Sequence, residues 1–444
     1  MIRKLVVWSV VVLFASGYTA CKKTELTVET PKSEEQADTR TVADATAEQR
    51  TRGEVLAIAT QLARGDSKGK TRAVPDFDVE YVLTSAVQKE RFMAIGLAPV
   101  DTMLYILNER DGSGFSLISG DKRIPELLAY SDEGHLDIRH VDNPGLAIFL
   151  SRLPIFFEQE LMKSDRVKRE HFKEAPKEPE YDYRCTNWTY IYSPLCGSVS
   201  WGQEEPFNNK APLRGGEHAA AGCVATAVAQ FFRTARYPAW YNGQYLDWDF
   251  FTRYSNNETH TAKEKETFDD QVSRLFRSIG DALDNDWGKD ATGAYFKDVP
   301  SLLRKAGFQN VPAITDYNYG TVLNSIHSGR QVFMRGCDEK WTTPIFGIPF
   351  YKGGHVWLCD GYLVRYRFLE YYEIETQKII ARVQKSESLL HCNWGWYGTD
   401  NGYFYEGVFN SNSPLDSTIR RPIYQGSIPY CYQYDIKQLV DVHP

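Results

Sequence analysis

The stretch Ala219–Phe232 reads AAAGCVATAVAQFF and is the most informative part of the chain. Gly222 is a natural turn residue, and small, helix-compatible residues follow it until Tyr237-Pro238 stops the pattern. Small side chains allow a helix to be buried against its neighbours on most sides. The stretch therefore predicts a buried helix that begins at Cys223.

The place of Cys223 in the first turn of that helix suggests chemistry as well as packing. Free backbone N–H groups and the positive end of the helix dipole favour an anion at this position. The thiolate is the form of cysteine that attacks a carbonyl carbon. A single buried cysteine is more often a small apolar side chain than a nucleophile, so Cys223 needs a base as its partner.

The candidate base is His355, within GGHVWLCDGY at residues 353–362. Two glycines before a histidine at the start of a strand-like run leave the imidazole accessible, although a hydrogen-bonded core histidine fits the same pattern. Residues 389–398 read LLHCNWGWYG. Asn393 can orient an imidazole there and Trp394 can shield it from water, whereas a β-turn that only packs would have similar residues.

Four segments of the sequence belong together: WGQEEPFN at 201–208, GCVATAVAQ at 222–230, GGHVWLCDGY at 353–362 and HCNWGWYGTDNGYF at 391–404. In this order they resemble the streptopain family (peptidase family C10) of papain-like cysteine endopeptidases. The resemblance covers residues about 185–410, and the segment GFSLISGD at residues 114–121 resembles part of the family's inhibitory prodomain. It implies an α+β protein with a two-lobed papain-like catalytic domain preceded by a small α+β prodomain.

The resemblance also implies a role for each matching residue. Cys223 would be the nucleophile and His355 the general base and acid, oriented and shielded by Asn393 and Trp394. Gln203 would form the oxyanion hole together with the backbone N–H of Cys223. The implied activity is that of an endopeptidase acting on proteins and peptides, with a hydrophobic pocket for the second residue on the amino side of the cut.

Composition and spacing exclude other functions. The chain has 444 residues and a net charge of −7, without a basic block, so nucleic-acid binding is not expected. His355 and Cys359 have the spacing of zinc ligands, but no CxxC accompanies them, and neither a metal nor an organic cofactor is expected. Two rival functions stay open: an acyl-transferring or amidase enzyme on the same fold, and a catalytically silent, lipid-anchored binding protein.

The first 20 residues predict export. Arg3 and Lys4 precede a short apolar run and then small residues, as in a secretory signal peptide. The run is shorter than the roughly 20 apolar residues of a transmembrane helix. Tyr18-Thr19-Ala20-Cys21 resembles a bacterial lipobox, which predicts a lipid attached to Cys21 and an outer-membrane lipoprotein. Ordinary cleavage and secretion is the alternative.

Composition divides the rest of the chain into four parts. Residues 21–52 are polar and predict a solvated tether, and residues 53–163 would be the prodomain that inhibits the enzyme. Residues 164–184 are charged, contain two prolines and predict an exposed linker where cleavage releases the mature enzyme. Residues 185–444 would be the catalytic domain.

Several local patterns predict elements of the prodomain. These are a helix from Glu54, a strand-like run at Phe92–Leu97, a hairpin of Met103–Leu107 with Phe115–Ser119, and a helix from Leu146 to about Met162 with Asn143 as its N-cap.

Cysteine pairing and the carboxyl end stay open. Export permits disulfides, but nothing in the sequence decides whether the cysteines other than Cys21 and Cys223 form pairs or remain buried thiols. Residues 411–444 do not fit the family's carboxyl end. The cysteines concerned are Cys185, Cys196, Cys337, Cys359, Cys392 and Cys431.

Overall fold

The computed structural model describes residues 19–20, 48–65, 75–94, 100–172, 181–197, 199–256, 259–338, 353–410 and 436–444. Its helices are α1 Arg52–Gly65, α2 Ala86–Ala94, α3 Pro144–Phe172, α4 Cys223–Ala235, α5 Trp248–Asn256, α6 Ala262–Ala282, α7 Val299–Lys305 and α8 Tyr319–His327. The longer strands are β2 Phe77–Leu83, β3 Thr102–Glu109, β4 Phe115–Ser119, β5 Leu127–Ser131, β6 Tyr181–Cys185, β7 Thr189–Tyr192, β14 Val332–Asp338, β15 Gly353–Glu373, β16 Ile379–Asn393, β17 Gly402–Tyr405 and β18 Lys437–Leu439. The two-residue strands are β1 Thr19–Ala20, β8 Leu213–Arg214, β9 Glu217–His218, β10 Trp240–Tyr241, β11 Gln244–Tyr245, β12 Gly293–Ala294 and β13 Thr315–Asp316.

A twelve-stranded antiparallel sheet runs through both halves of the chain, in the order β13-β18-β14-β15-β16-β17-β5-β4-β3-β2, with β6 and β7 also paired to β15. We call residues 48–172 the amino-terminal unit and residues 181–444 the carboxy-terminal unit. The two units meet where β5 pairs with β17, with Tyr130 opposite Tyr403 and Ala129 opposite Phe404. Main-chain hydrogen bonds therefore join the sheets of the two units.

Helices cover both faces of the carboxy-terminal sheet. Along β15, Val356 and Leu358 pack in the core around α4 and α6, whereas Trp357 and Cys359 pack in the core that contains α3. Such alternation is the mark of a strand buried on both faces. The amino-terminal unit thus supplies part of the core behind the His355 strand.

The amino-terminal unit confirms most of the elements predicted for it. α1 begins at Arg52, the predicted hairpin forms from β3 and β4, and the Asn143 side chain caps α3 by accepting from the backbone N–H groups of Gly145 (3.0 Å) and Leu146 (3.2 Å). The strand predicted at Phe92 is wrong, because α2 continues through Ala94 with Phe92 as a buried side chain.

The segment predicted as a linker is partly regular. α3 continues to Phe172, ten residues past its predicted end at Met162, and β6 begins at Tyr181 and pairs with β15. The strand-like run at residues 353–362 is only the first part of β15, which continues to Glu373 as one arm of a long hairpin with β16.

A buried group of charges lies at the junction of the two units. The fully buried Arg365 of β15 donates from Nε to Glu387 Oε2 (2.9 Å), and its Nη1 lies 3.1 Å from Oε1 of Glu126 in the amino-terminal unit. The same Glu126 oxygen accepts from Trp188 Nε1 (2.5 Å), and the Arg365 guanidinium lies 4.2 Å from the Trp188 ring centroid. Burial raises the pKa of Glu387, but the charges of Arg365 and Lys385, together with the hydrogen bonds that Glu387 accepts, outweigh burial and hold that pKa below its usual value.

Removing one partner of a buried ion pair leaves a charge without compensation, which typically costs about 3–5 kcal/mol. We therefore expect Glu126→Gln, made in a Cys223→Ala chain that keeps its full length, to lower the midpoint of thermal unfolding by several degrees. The matched control is Glu133→Gln at an exposed position of the same unit. Equal midpoints for the two variants would show that Glu126 does not hold the units together.

Candidate active site

Cys223 lies at the first position of α4, as the sequence predicts. Gly222 precedes it with φ 88°, a left-handed conformation, and a Cβ on Gly222 would come within 3.2 Å of Thr292. Only glycine meets both conditions without strain. Cys223 is buried and its sulfur is not part of a disulfide, so the thiol is placed at the helix amino terminus, where an anion is favoured.

His355 is fully buried near the start of β15. Its Nε2 lies 2.8 Å from the carbonyl oxygen of Trp394, and its ring is nearly parallel to that of Trp357, at an interplanar angle of 10°. A carbonyl oxygen only accepts hydrogen bonds, so this contact assigns the proton of the neutral ring to Nε2. Nδ1 is then the nitrogen that can accept a proton.

Asn393 and Trp394 form the turn that ends β16. The Asn393 side chain donates to Val199 O (2.7 Å) and accepts from the backbone N–H of Gly395 (3.2 Å). The hydrogen bond of His355 Nε2 goes to the main chain of Trp394 rather than to an Asn393 side-chain atom. Trp394 is fully buried and its ring packs against that of Trp357, at 5.3 Å between centroids.

Gln203 lies beside the start of α4. Its backbone carbonyl accepts from the N–H of Ala221 (2.8 Å), two residues before Cys223. Its side chain is buried, and among the described residues no hydrogen-bond partner is found for its Nε2. A buried donor without a partner costs about 1–3 kcal/mol of folding free energy. The Gln203 amide therefore lowers the stability of the fold while its N–H remains available to a further acceptor.

The first turn of α4 contacts the turn that holds the histidine. Gly395, with φ 70°, packs so closely on Thr226 that a Cβ would lie 3.1 Å from the Thr226 methyl group. Thr226 is one helical turn after Cys223, and its hydroxyl donates to the Gly222 carbonyl (3.0 Å). The structure thus brings the Cys223 helix, Gln203 and the Trp394 turn into one cluster.

The amino-terminal unit contacts this cluster directly. A Cβ on Gly145 would lie 2.2 Å from the Trp394 ring, so the start of α3 packs against the indole with no room for a side chain. The Asn143 side chain donates to the carbonyl of Thr399 (3.0 Å). A cavity of about 360 Å³ lies alongside, lined by residues 135–146 of the amino-terminal unit and by Gln203, Glu204 and residues 396–400 of the carboxy-terminal unit.

The pKa of the Asp400 carboxyl is shifted upward at this contact. Burial and the nearby Asp142 together raise the pKa of Asp400 to about 6, against the lowering effect of its hydrogen bond with Asn143. A carboxyl group whose pKa is raised in the folded state contributes stability while it is protonated and loses it as the pH rises through that pKa. The contact between the units should therefore weaken progressively as the pH rises from the ordinary carboxyl pKa of about 4 through the Asp400 pKa of about 6.

Two family models match the chain. The peptidase C10 family matches residues 201–404, and the Spi protease inhibitor family matches residues 84–154. The chain carries a streptopain-like cysteine endopeptidase domain of the peptidase C10 family. The inhibitor family matches within the amino-terminal unit, so this peptidase carries an inhibitor-type prodomain in the same chain.

Individual proteins agree with this result. Streptopain of Streptococcus pyogenes serotype M1 is 24% identical over 349 residues, which cover 70% of this chain and 75% of streptopain. The thiol protease/hemagglutinin PrtT of Porphyromonas gingivalis is 23% identical over 353 residues, 70% of this chain but only 35% of PrtT. The solved structure of a Prevotella intermedia prointerpain A fragment aligns with a TM-score of 0.50 and 19% identity, over 83% of this chain and 99% of the fragment. The expected α+β fold with a prodomain is confirmed.

Some expectations lie outside the described residues. These are the lipid on Cys21, most of the signal peptide, residues 411–435, and the side chains of Cys337 and Cys431. Within the described ranges no cluster of three His, Cys, Asp or Glu side chains could hold a metal, and no helix is long and apolar enough to cross a membrane.

Sequence reasoning missed the residues that join the prodomain to the peptidase. Asn143 was identified as a helix cap, and its contact with Thr399 adds a second role. The sequence pattern could have indicated that Arg365 is buried, because it stands at a position of β15 where strand alternation places a buried side chain. No sequence pattern indicated a role for Glu126.

Asp400→Asn tests the pH dependence, because asparagine keeps the shape, tolerates the positive φ of 58° at this position and cannot ionise. In Cys223→Ala chains, we expect the chain with Asp400 to lose about 1–2 kcal/mol relative to Asp400→Asn as the pH rises from about 5 to about 7. Denaturant unfolding at each pH measures this. Both chains share every other side chain of the cavity, so the difference between their pH profiles reports Asp400 alone. Parallel pH profiles for the two chains would contradict the assignment.

Proposed function

We propose that the chain is made as an exported zymogen whose catalytic domain hydrolyses peptide bonds, with Cys223 as nucleophile and His355 as general base and acid. The observation that carries the proposal is the cluster around α4. The Cys223 thiol is not part of a disulfide and stands at a helix amino terminus, and the turn that binds the histidine packs on the same helix.

In the proposed reaction, His355 Nδ1 takes the proton of the Cys223 thiol, and the thiolate attacks the peptide carbonyl carbon. The imidazolium then protonates the leaving amine, and a thioester remains on Cys223. Water activated by His355 hydrolyses the thioester and restores the thiol. The hydrogen bond from Nε2 to the Trp394 carbonyl keeps the ring's own proton on Nε2, which supports Nδ1 as the nitrogen that receives the proton of the thiol and later gives it to the leaving amine.

Asn393 is proposed as a positioning residue. Its Oδ1 accepts from the Gly395 N–H and its Nδ2 donates to Val199, so the amide fixes the turn whose Trp394 carbonyl accepts from the imidazole. It would orient His355 through that turn in this form of the chain. Trp394 is proposed to shield the imidazole from water, in agreement with its complete burial.

Gln203 is proposed to hold the oxyanion together with the Cys223 N–H. The Gln203 Nε2 is buried, lies beside the helix of Cys223 and has no partner among the described residues. Such a donor can stabilise the negative charge that develops on the substrate's carbonyl oxygen only during the reaction. Its backbone bond to Ala221 keeps the amide close to α4.

The edge of β12 supports a peptide as the substrate. Gly293–Ala294 follows Thr292, which packs on Gly222, and β12 pairs antiparallel with the extended residues Thr19–Ala20. A backbone edge beside a nucleophile can receive a substrate as an added strand. We infer that proteins and peptides bind along this edge. The hydrophobic pocket expected from the family resemblance remains a proposal without assigned wall residues.

The zymogen part of the proposal has three steps. The amino-terminal 20 residues direct export, Cys21 attaches the chain to the outer membrane if it is acylated, and a cut within residues 164–184 releases the catalytic domain. Before the cut, the prodomain inhibits the enzyme through its contact with the Trp394 turn, where Gly145 touches the indole. Nucleic acid has no part in this function.

Intact mass over time tests peptidase activity and self-processing together. Wild type is expected to shorten to a form that starts within residues 164–184 when reductant is present, whereas Cys223→Ala keeps its full length. Cys196→Ala, at a half-buried position, is the matched cysteine control and should shorten like wild type.

A wild-type chain that stays full length while it cleaves an unstructured protein would rule out self-processing but not peptidase activity. Deamidated or crosslinked products instead of shorter peptides would favour the acyl-transferring or amidase function. Failure of Cys223 to react with a thiol-directed epoxide would favour the silent binding protein.

Gln203→Ala tests the oxyanion hole. Loss of one such donor typically lowers kcat by roughly 10²–10³ with little change in KM, and we expect this loss in the processed enzyme. The control is the exposed Gln309→Ala, which should leave kcat unchanged. A kcat near that of wild type for Gln203→Ala would remove Gln203 from the mechanism.

A further inference from the structure

Two cysteines outside the proposed mechanism face each other next to the active site. Cys359 on β15 is the register partner of Cys392 on β16, and their sulfur atoms lie 3.7 Å apart. Directly opposed residues of an antiparallel pair have Cα atoms about 4.5–5.5 Å apart, within the range that a disulfide spans. Rotation of the two side chains is enough to close the remaining gap between the sulfurs.

The surroundings favour a structural role for the pair. Both side chains are fully buried in an apolar core that includes Leu390, Trp357 and Trp394. Burial raises the pKa of the Cys392 thiol well above its usual value, so a folded chain offers little thiolate for later chemistry. The neighbouring Asp360 and His391 pair with each other rather than with either cysteine, with His391 Nδ1 and Asp360 Oδ1 2.5 Å apart.

We propose that Cys359 and Cys392 form a disulfide in the exported protein that ties the strand of His355 to the strand of Asn393. This inference rests on the export included in the proposed function, because disulfides persist in oxidising compartments. Cys359 is four residues after His355 and Cys392 directly precedes Asn393. The bond would hold the histidine and its supporting turn in register while the prodomain leaves.

The oxidant is a disulfide of an exchange partner, either a protein dithiol oxidase or oxidised glutathione. The thiolate of one cysteine attacks that disulfide during folding, forms a mixed disulfide and releases one partner thiol. The thiolate of the second cysteine then attacks the first cysteine's sulfur and releases the second partner thiol. The two cysteines lose two protons and two electrons, and the partner disulfide is reduced to two thiols.

The bond should resist the reductant that the enzyme needs. In the proposed mechanism Cys223 must meet the substrate once the prodomain has left, whereas Cys359 and Cys392 lie inside the core, and access limits thiol–disulfide exchange. We expect a level of reductant that allows complete labelling of Cys223 to leave the Cys359–Cys392 bond intact in the folded protein.

The test uses the full chain, exported by a host and purified without reductant, then denatured in the presence of an alkylating agent and digested without reduction. Mass spectrometry is expected to find one crosslinked pair of peptides containing Cys359 and Cys392. The crosslink should be absent from Cys359→Ala and from Cys392→Ala but present in Cys196→Ala and Cys185→Ala.

Alkylation of both Cys359 and Cys392 in the exported protein would overturn the proposal, as would a crosslink from either to another cysteine. The proposal would also be contradicted if the Cys359–Cys392 bond of the folded protein were reduced at the level of reductant that allows complete labelling of Cys223. Epoxide labelling of Cys223 in the same sample reports the proposed function separately. Labelled Cys223 with free Cys359 and Cys392 refutes only the disulfide, and a crosslinked chain without peptidase activity refutes only the function.

Discussion

The close contact between the first turn of α4 and the turn after β16 is the constraint on which the site depends. Gly395 packs on Thr226 so closely that a Cβ at Gly395 would lie 3.1 Å from the Thr226 methyl group, and the Thr226 hydroxyl donates to the carbonyl of Gly222, the residue before Cys223. The same turn supplies the Trp394 carbonyl that accepts from His355. A helix from one half of the catalytic unit and a strand from the other are thereby held together by backbone groups and two small residues.

The prodomain binds that same turn. Gly145 packs on the Trp394 indole, Asn143 bonds to Thr399, and β5 extends the catalytic sheet at β17. These contacts act on the residues that support the histidine, and a buried ion pair between Glu126 and Arg365 fixes the prodomain farther along the sheet. The proposed inhibition by the prodomain and the support of His355 therefore both depend on the turn around Trp394.

Sequence reasoning succeeded where the information is local. The helix that begins at Cys223, the hairpin of β3 and β4, and the Asn143 cap each depend on residues close together in the chain, and all three were predicted. Long-range partners were not predictable in this way. The acceptor for His355 is a main-chain carbonyl, which no side-chain pattern indicates. The length of β15 comes from its pairing with β16, well past the strand-like run at residues 353–362 that the sequence shows. The Glu126–Arg365 pair joins two residues, one in each unit, that are more than 200 positions apart in the sequence.

The central claim is that Cys223 and His355 act as a thiolate–imidazolium pair, and the rate of Cys223 alkylation as a function of pH tests it most directly. In the processed enzyme, we predict rapid alkylation at pH values well below about 8.5, where an ordinary thiol is largely protonated. We also predict that His355→Ala moves the profile back toward that of an ordinary thiol. Identical profiles for the two proteins, both rising near the ordinary thiol pKa, would contradict the account.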